Sequence, residues 1–326
     1  MGLKKHEIEV SEENIQKILN KLDETISNIE RLDGEESFLN PIYGISCKSG
    51  DNYVLKVINP LEKWKKVKTL NEVKAIELIK KANIPVPKIY DYSTSKDLIG
   101  FEYILMEKFE GNNLKDVFEK RKLEYLSQIA DIIQKFQQFS YRKIGSFTEN
   151  NSIGPDLDIG NGPFNSFKDW IIAAIKSRLN HMEKTRFAKY IPKFKNFCEL
   201  IEDKDMAIFF CHGDLAPKNM IEKDGKIIGL FDFEWAGAFP YVYDAANYNH
   251  DFNLNGAETK YFYKLLDERN IVYNIPEKIK DIKHIENLSM IFVSYQDWFI
   301  GREKEGEKDV AKHERDIIAL FKKYDI

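Results

Sequence analysis

Between residues 11 and 31, Ile15, Ile18, Leu19, Leu22, Ile26 and Ile29 recur every three or four positions among charged residues. That spacing lays them along one face of a helix, and Ser11 precedes the run as an N-cap. The stretch predicts one amphipathic helix, ended by the turn Asp33-Gly34. From residue 37 to 57 the pattern is strand-like, broken by Ser49-Gly50-Asp51-Asn52. This predicts a hairpin whose second strand reads Tyr53-Val54-Leu55-Lys56-Val57-Ile58. Helical spacing returns over 68–82 through Leu70, Val73, Ile76, Leu78 and Ile79, and Ile84-Pro85-Val86-Pro87 stops it. Two more strands are predicted at 88–92 and 101–108, before Gly111-Asn112-Asn113 breaks the chain.

Beyond Leu114 helical patterns dominate, over 123–140, 166–184, 258–268, 280–300 and 308–323. A β-rich patch at 208–233 interrupts them. Residues 145–165 are rich in Gly, Asn, Pro and Asp and predict a long irregular loop, a type that often carries function. The order implies an α+β chain of two lobes. A small β-rich lobe with a leading helix spans 1–110, and a larger, mainly helical lobe spans 111–326. That is the layout of a two-lobed kinase.

Composition narrows the classes. A chain of 326 residues is long enough for two cores, and 43% apolar with 31% charged residues is an ordinary globular balance. A net charge of −4 and a pI near 6.0 lack the basic footprint of a nucleic-acid binder. Cys47, Cys198 and Cys211 are too few and too scattered for a disulfide framework or a zinc site, and fit a reducing compartment. Residues 1–10 are charged and polar, unlike a signal peptide. No apolar run approaches the roughly 18 residues of a membrane span. The expectation is a cytoplasmic protein, monomer or weak dimer, without a membrane or nucleic-acid partner.

The sharpest segment is Phe210-Cys211-His212-Gly213-Asp214-Leu215-Ala216-Pro217-Lys218-Asn219-Met220. It matches H-x-D-L-x-x-x-N, the catalytic-loop pattern of the kinase superfamily. Leu230-Phe231-Asp232-Phe233-Glu234 follows, its Asp-Phe standing where kinases bind metal. A lone H-G-D is usually a surface turn; the joint pattern is far more specific. Phosphoryl transfer needs positioning and charge neutralisation, so the spacing has a reason. Asp214 would accept the proton of an attacking hydroxyl. Asn219 would aim its amide oxygen at Mg2+. A short hairpin around Asp224-Gly225 would return the chain so that Asp232 becomes a second ligand. His212 would brace the loop. Lys56 lies in an apolar strand upstream, where a lysine is commonly an edge charge. Glu72 in the next helix offers it the partner that the kinase template requires, and Glu77 competes for that place.

These blocks resemble the aminoglycoside phosphotransferase family, small-molecule kinases with a protein-kinase-like fold. Tyr53-Val54-Leu55-Lys56-Val57 is similar to its lysine strand, and Asn71-Glu72-Val73 through Ile84-Pro85-Val86-Pro87-Lys88 to its helix and following turn. Ile104-Leu105-Met106-Glu107-Lys108-Phe109-Glu110-Gly111 is similar to its inter-lobe hinge. Asp232-Phe233-Glu234-Trp235-Ala236-Gly237 and the segment bearing Asp244 complete a resemblance over about residues 37–250. It implies that Lys56 holds nucleotide phosphates and Glu72 orients it. Glu107 and Phe109 would offer backbone groups to the purine, with Met106 lining the pocket behind. Asp214 would be the base, Asn219 and Asp232 the Mg2+ ligands, and Asp244 a brace of the helical lobe. The co-substrate would be ATP or GTP.

Three departures qualify the resemblance. The nucleotide loop Leu39-Asn40-Pro41-Ile42-Tyr43-Gly44-Ile45 has a single glycine. Glu234 replaces the glycine of protein kinases, as in many small-molecule kinases. No activation segment follows Asp232, and Ala216 replaces the catalytic-loop lysine of serine/threonine kinases. The last departure speaks against a protein substrate.

The acceptor is expected between Asp214, the loop 145–165 and the following helices. Asp169 and Glu234, with Asp156, Asp158 and Asp251, would present carboxylates to a cationic acceptor. Trp235 and Tyr248, with Trp170 and Tyr241, would stack on a ring or meet a cation. Aminoglycoside antibiotics, and with them antibiotic resistance, are the implied reading. An amino alcohol, hydroxylated amino acid or sugar derivative is the alternative acceptor, and a nucleotide-binding pseudokinase the alternative of another class.

Overall fold

The computed structural model describes residues 8–32, 40–59, 68–298 and 303–326. The Asp33-Gly34 turn, Leu39, the start of the predicted hairpin and the last residues of the helix expected over 280–300 lie outside them. The first helix, α1 (Glu12–Leu19), starts as expected, with Ser11 Oγ accepting the Asn14 amide at 3.3 Å. It does not run to residue 31. A short 3-10 turn leads to Asp23 at φ 58°, and Ile26–Arg31 then forms strand β1. Gln16 holds this reversal, donating to Glu24 O at 2.7 Å and accepting from Ile26 N at 3.0 Å. Once the chain has turned, β-branched Ile26 and Ile29 pair across to the next strand instead of extending the helical stripe.

That strand is β2 (Ile42–Cys47), joined to β3 (Asn52–Val57) by the expected hairpin. Helix α2 (Thr69–Ile79), β4 (Ile89–Ser93) and β5 (Tyr103–Glu107) complete the small lobe. Its antiparallel sheet has the order β1-β2-β3-β5-β4. The period of two sorts its faces. Leu55, Val57, Tyr103 and Leu105 pack with α1 residues Ile15, Ile18 and Leu19 on one side. Ile104 and Met106 meet Val73 of α2 on the other. Lys56 lies between Leu55 and Val57, so its side chain falls on the α2 side.

A two-residue strand β6 (Asn112–Asn113) opens the helical lobe, followed by α3 (Leu114–Val117), α4 (Lys122–Phe136), β7 (Ser140–Tyr141) and α5 (Phe167–Met182). A helix that the sequence pattern did not predict, α6 (Ile191–Glu199), comes next. Its buried Ile191, Phe194, Phe197 and Cys198 do carry helical spacing. Then come β8 (Ile208–Cys211), β9 (Met220–Lys223), β10 (Lys226–Leu230) and β11 (Gly237–Pro240). Five further helices close the chain: α7 (Val242–Ala245), α8 (Tyr248–Asp251), α9 (Gly256–Glu268), α10 (Glu277–Trp298) and α11 (Glu303–Lys323). Helix α10 packs against both α5 and α11. Phe194, Phe292 and Phe321 join α6, α10 and α11 in one aromatic cluster. Among the described residues no helix is long and apolar enough to cross a membrane.

Three contacts seat the hairpin β9–β10 beneath the hinge. Asp224 at φ 52° and Gly225 at φ 79° make its tight turn, a geometry that matches strand twist. Gly229 leaves room for the Phe109 ring, which a Cβ there would meet at 2.4 Å. The Leu230 amide donates to Pro85 O at 2.7 Å.

Buried Asn71 of α2 ties the two lobes together. Its Nδ2 donates to Ala236 O and its Oδ1 accepts the Phe147 amide, both at 2.8 Å. Asn71→Ala would leave a buried carbonyl and a buried amide without partners. It should lower unfolding stability by about 3 kcal/mol, measured as a shift in urea midpoint at unchanged m-value.

Candidate active site

The catalytic-loop segment leaves β8 under two constraints. The amides of His212 and Gly213 each donate to one carboxylate oxygen of Asp244, both at 2.8 Å. Gly213 has φ 86°, and a Cβ there would stand 2.5 Å from Trp235 Cβ, so the loop runs flush against the Trp235 backbone. His212 is fully buried. Its Nδ1 accepts the Asp214 amide at 3.2 Å, so the proton sits on Nε2, which lies 3.2 Å from Phe231 O and donates to it. Burial lowers the His212 pKa, which keeps the ring neutral and this tautomer fixed.

Asp214 is thereby presented at the end of a braced turn. Its Oδ2 receives Asn219 Nδ2 at 2.9 Å and Lys218 Nζ at 2.8 Å. Among the described residues no hydrogen bond engages its Oδ1. Asn219 Nδ2 also donates to the Asp214 carbonyl at 2.8 Å. Both partners of that atom are acceptors, so it is the amide nitrogen, and the amide oxygen is turned away from Asp214. The hairpin then returns the chain. Phe231 N donates to the Asn219 carbonyl at 3.1 Å, which places Asp232 beside Asn219. Asp232 holds φ 66°, an uncommon conformation for a residue with a side chain and one that recurs at functional sites.

Asp232 reaches across to the small lobe. Lys56 Nζ lies 2.7 Å from Asp232 Oδ1, 2.8 Å from Glu72 Oε2 and 3.5 Å from Glu234 Oε2. Glu77, the competing partner, pairs instead with Lys74 at 2.9 Å on the surface. Burial works against the Lys56 ammonium, but Asp232, Glu72 and Glu234 outweigh it and hold its pKa well above the usual value. Glu72 is pushed up to about 7, chiefly by burial and against the pull of Lys56. Its Oε1 is buried without a hydrogen-bond partner. The carboxylates of Glu72, Asp232 and Glu234 have oxygens within 4.8 Å of one another. Three carboxylates around one ammonium leave a surplus of negative charge and hard oxygen donors. With the outward amide oxygen of Asn219, this donor set fits Mg2+.

Other expected residues fall differently. Glu234 faces Lys56, 3.5 Å from its Nζ, and accepts from Asn40 Nδ2 at 3.0 Å. Tyr248 is buried between Phe252 and Phe262 and offers no ring face to a ligand. Trp170 is likewise buried, its Nε1 donating to Asp156 Oδ2 at 2.8 Å. Asp169 is exposed in the first turn of α5 and is not joined to the Asp214 loop. Met106 is buried beside Val73 and Ile104. The Glu107 amide already donates to Lys88 O at 2.9 Å.

Two lysines escaped the sequence reading. Lys68 places its ammonium over the ring of Trp235 and 3.2 Å from Asp158 Oδ1. Lys218 lies two positions beyond Ala216, where the usual lysine was missing, and reaches the same Asp214. A reading tied to the usual position hid it. Asp251 of α8, partly buried, is pushed up by burial, with Asp214 among the charges that raise it, and therefore lies toward the loop.

A buried strand lysine paired with a helix glutamate, opposite a His–Asp–Asn loop and a hairpin aspartate, defines a kinase-like phosphotransferase. The family comparison agrees: residues 36–255, about two thirds of the chain, match the phosphotransferase enzyme family, and the chain belongs to it. That membership supports a small-molecule kinase. Solved structures share the fold. Aminoglycoside phosphotransferase APH(4)-Ia is 16% identical with a TM-score of 0.64, over 96% of this chain and 99% of that one. Choline kinase LicA from Streptococcus pneumoniae is 17% identical with a TM-score of 0.61, over 96% and 99%. A structure of an APH(4)-Ia mutant, 15% identical with a TM-score of 0.63 and covering 96% and 98%, contains AMP-PNP and hygromycin B. A subtelomeric hrmA-associated cluster protein of Aspergillus fumigatus is 26% identical over 149 residues, 44% of this chain. That alignment spans only 28% of the relative's length.

Asp244 supplies the test of the loop brace. Burial pushes its carboxyl up to about 6, above the unfolded range. The folded chain therefore holds a proton that the unfolded chain has lost between pH 4 and pH 6, and stability from this group falls as pH rises through that window. Asp244→Asn cannot titrate and sets an amide donor against one of the two loop amides. Its unfolding free energy should be measured against wild type at both pH values. Wild type's value relative to the variant's should fall by about 2 kcal/mol from pH 4 to pH 6.

Proposed function

We propose that this protein transfers the γ-phosphoryl group of ATP or GTP to a hydroxyl of a small, amine-bearing molecule. The observation that carries the reading is the junction at Lys56. One ammonium meets Glu72 from α2 and Asp232 just after the β9–β10 hairpin, which supports reading Lys56 and the Asp214–Asn219 loop as parts of one site.

Each residue then has a task. Lys56 would grip the nucleotide phosphates, with Glu72 holding it in place. The carbonyl of Glu107 and the backbone of Phe109 would meet the purine, against Met106. Asn219 and Asp232 would hold Mg2+, which when bound supplies charge neutralisation along the phosphates. Asp214 Oδ1 would accept the acceptor's hydroxyl proton as that oxygen bonds to the γ-phosphorus and the bond to the nucleoside diphosphate breaks. His212 and Asp244 keep the loop in register.

Two features support an amine on the acceptor. Lys68 shows that a cation fits the face of Trp235 beside Asp158, and Trp235 lies against Gly213, next to Asp214. Asp251 adds a carboxylate whose charge is felt at Asp214 and Lys218. The hygromycin B complex of APH(4)-Ia and the choline kinase LicA make aminoglycosides and amino alcohols the first acceptors to try. Expression in an aminoglycoside-sensitive host separates a resistance role from a metabolic one.

The purified chain, offered an acceptor panel with MgATP and MgGTP, should yield a product heavier by one phosphate in mass spectrometry. Asp214→Ala should lower turnover by roughly 10²–10⁴-fold while nucleotide still binds. Asp232→Ala should weaken nucleotide binding in Mg2+ as well. Near-wild-type turnover in Asp214→Ala would sink the assignment.

A further inference from the structure

We propose that Lys218 is a positioning residue for phosphoryl transfer, the cation that aims Asp214. This rests on the phosphotransferase reading above and adds to it a residue that the family resemblance did not supply.

The geometry is specific. Asp214 Oδ2 takes both of its donors, Lys218 Nζ at 2.8 Å and Asn219 Nδ2 at 2.9 Å. Two donors on one oxygen leave the other free and fix the plane of the carboxylate. Oδ1 is then the atom presented to a hydroxyl. A loose transition state asks little basicity of the carboxylate and much of its placement, so the clamp matters more than proton affinity.

No other cation in the loop can do this. Between His212 and Asn219, Lys218 is the one lysine or arginine, and position 216 is alanine. His212 is buried, neutral and committed to Phe231 O. Lys56 is held by its own carboxylates. The backbone that carries Lys218 is held in place. Its backbone carbonyl accepts Asn113 Nδ2 at 2.8 Å, and Pro217 fixes the turn before it. Asp232 and Asp251 add to the field that draws its ammonium toward the cleft. A partly exposed ion pair contributes little to folding, so this contact is not a stability device. No proton leaves Lys218 in the reaction. The acceptor oxygen gains phosphorus, the nucleoside diphosphate leaves, and the proton goes to Asp214.

The test compares full-length wild type, Lys218→Ala, Lys218→Arg, Asp214→Ala and the Asp214→Ala/Lys218→Ala pair. MgATP is supplied with hygromycin B, with choline, or with water alone as acceptor. Lys218→Ala should lower kcat by about ten- to a hundredfold, with KM for MgATP within about threefold and the melting temperature unchanged. Lys218→Arg should recover most of the loss. Adding Ala216→Lys to Lys218→Ala should restore at least part of it, because a lysine there can return charge to Asp214. In the Asp214→Ala background, Lys218→Ala should cost nothing further, since its effect passes through the missing carboxylate. Unchanged kcat in Lys218→Ala, or losses that multiply in the double variant, would overturn the positioning role while leaving the phosphotransferase reading intact. Wild type inactive with every acceptor, water included, would instead remove the reading itself and the inference with it.

Discussion

The buried ammonium of Lys56 is the charge around which the two lobes are organised. Removing a charge from water costs several kcal/mol, so a lysine with 4% of its surface exposed persists only with close anionic partners. Its partners come from α2, from the hairpin end at Asp232 and from Glu234 just beyond. The energetic requirement of one side chain thus fixes the relative positions of a strand, a helix and a loop from different lobes. The surplus of carboxylate leaves the cluster short of positive charge. That shortage is what a divalent cation would relieve, and the neighbouring carboxylates add to the burial that pushes the Glu72 pKa up to about 7.

Around Asp214 the logic is different. Here backbone amides, the Asp244 carboxyl group and the neutral side chains of His212 and Asn219 set the geometry, and Lys218 brings the cation that meets Asp214. Asp244 binds two successive amides, His212 bridges Asp214 to Phe231, and Asn219 spans the carbonyl and the carboxylate of Asp214. These partners have fixed directions, so the loop has one arrangement with little slack. Gly213 and Gly229 permit this by letting Trp235 and Phe109 approach the backbone. Side chains at either position would push apart the segments that carry the chemistry.

Much of this was legible because its signals are local. H-x-D with an Asn at fixed spacing, a turn at Asp224-Gly225 and a second aspartate describe one short excursion of chain, and its geometry follows from the turn. Lys56 and Glu72 were legible as a pair because a strand and the next helix leave few ways to meet. What failed depended on distant contacts. Ile26 and Ile29 suit a helix face or a strand, and only Gln16 and the pairing with β2 decide between them. Glu234 and Tyr248 look alike in sequence as polar or aromatic candidates near the motif. One lies against Lys56 and the other inside an aromatic core, and neither packing relation leaves a local trace. Helix α6 carried the right spacing but lacked an N-terminal cap, and Pro192 obscured its start.

The proposed acceptor side and the proposed nucleotide side share structural elements. Asn71, one residue from Glu72, holds the strand after Trp235 and the start of the loop 145–165. Lys68, at the head of the same helix, meets Asp158 from that loop and the ring of Trp235. A shift of α2 that altered the Lys56–Glu72 pair would therefore strain the wall beside Asp214, and a cation displacing Lys68 would act on α2 in return. Binding at either end has a rigid helix through which to bias the other. The reacting atoms of a transfer reaction must be held in line and about 3–3.5 Å apart. A single helix carrying contacts to both sides provides a physical means of enforcing that alignment.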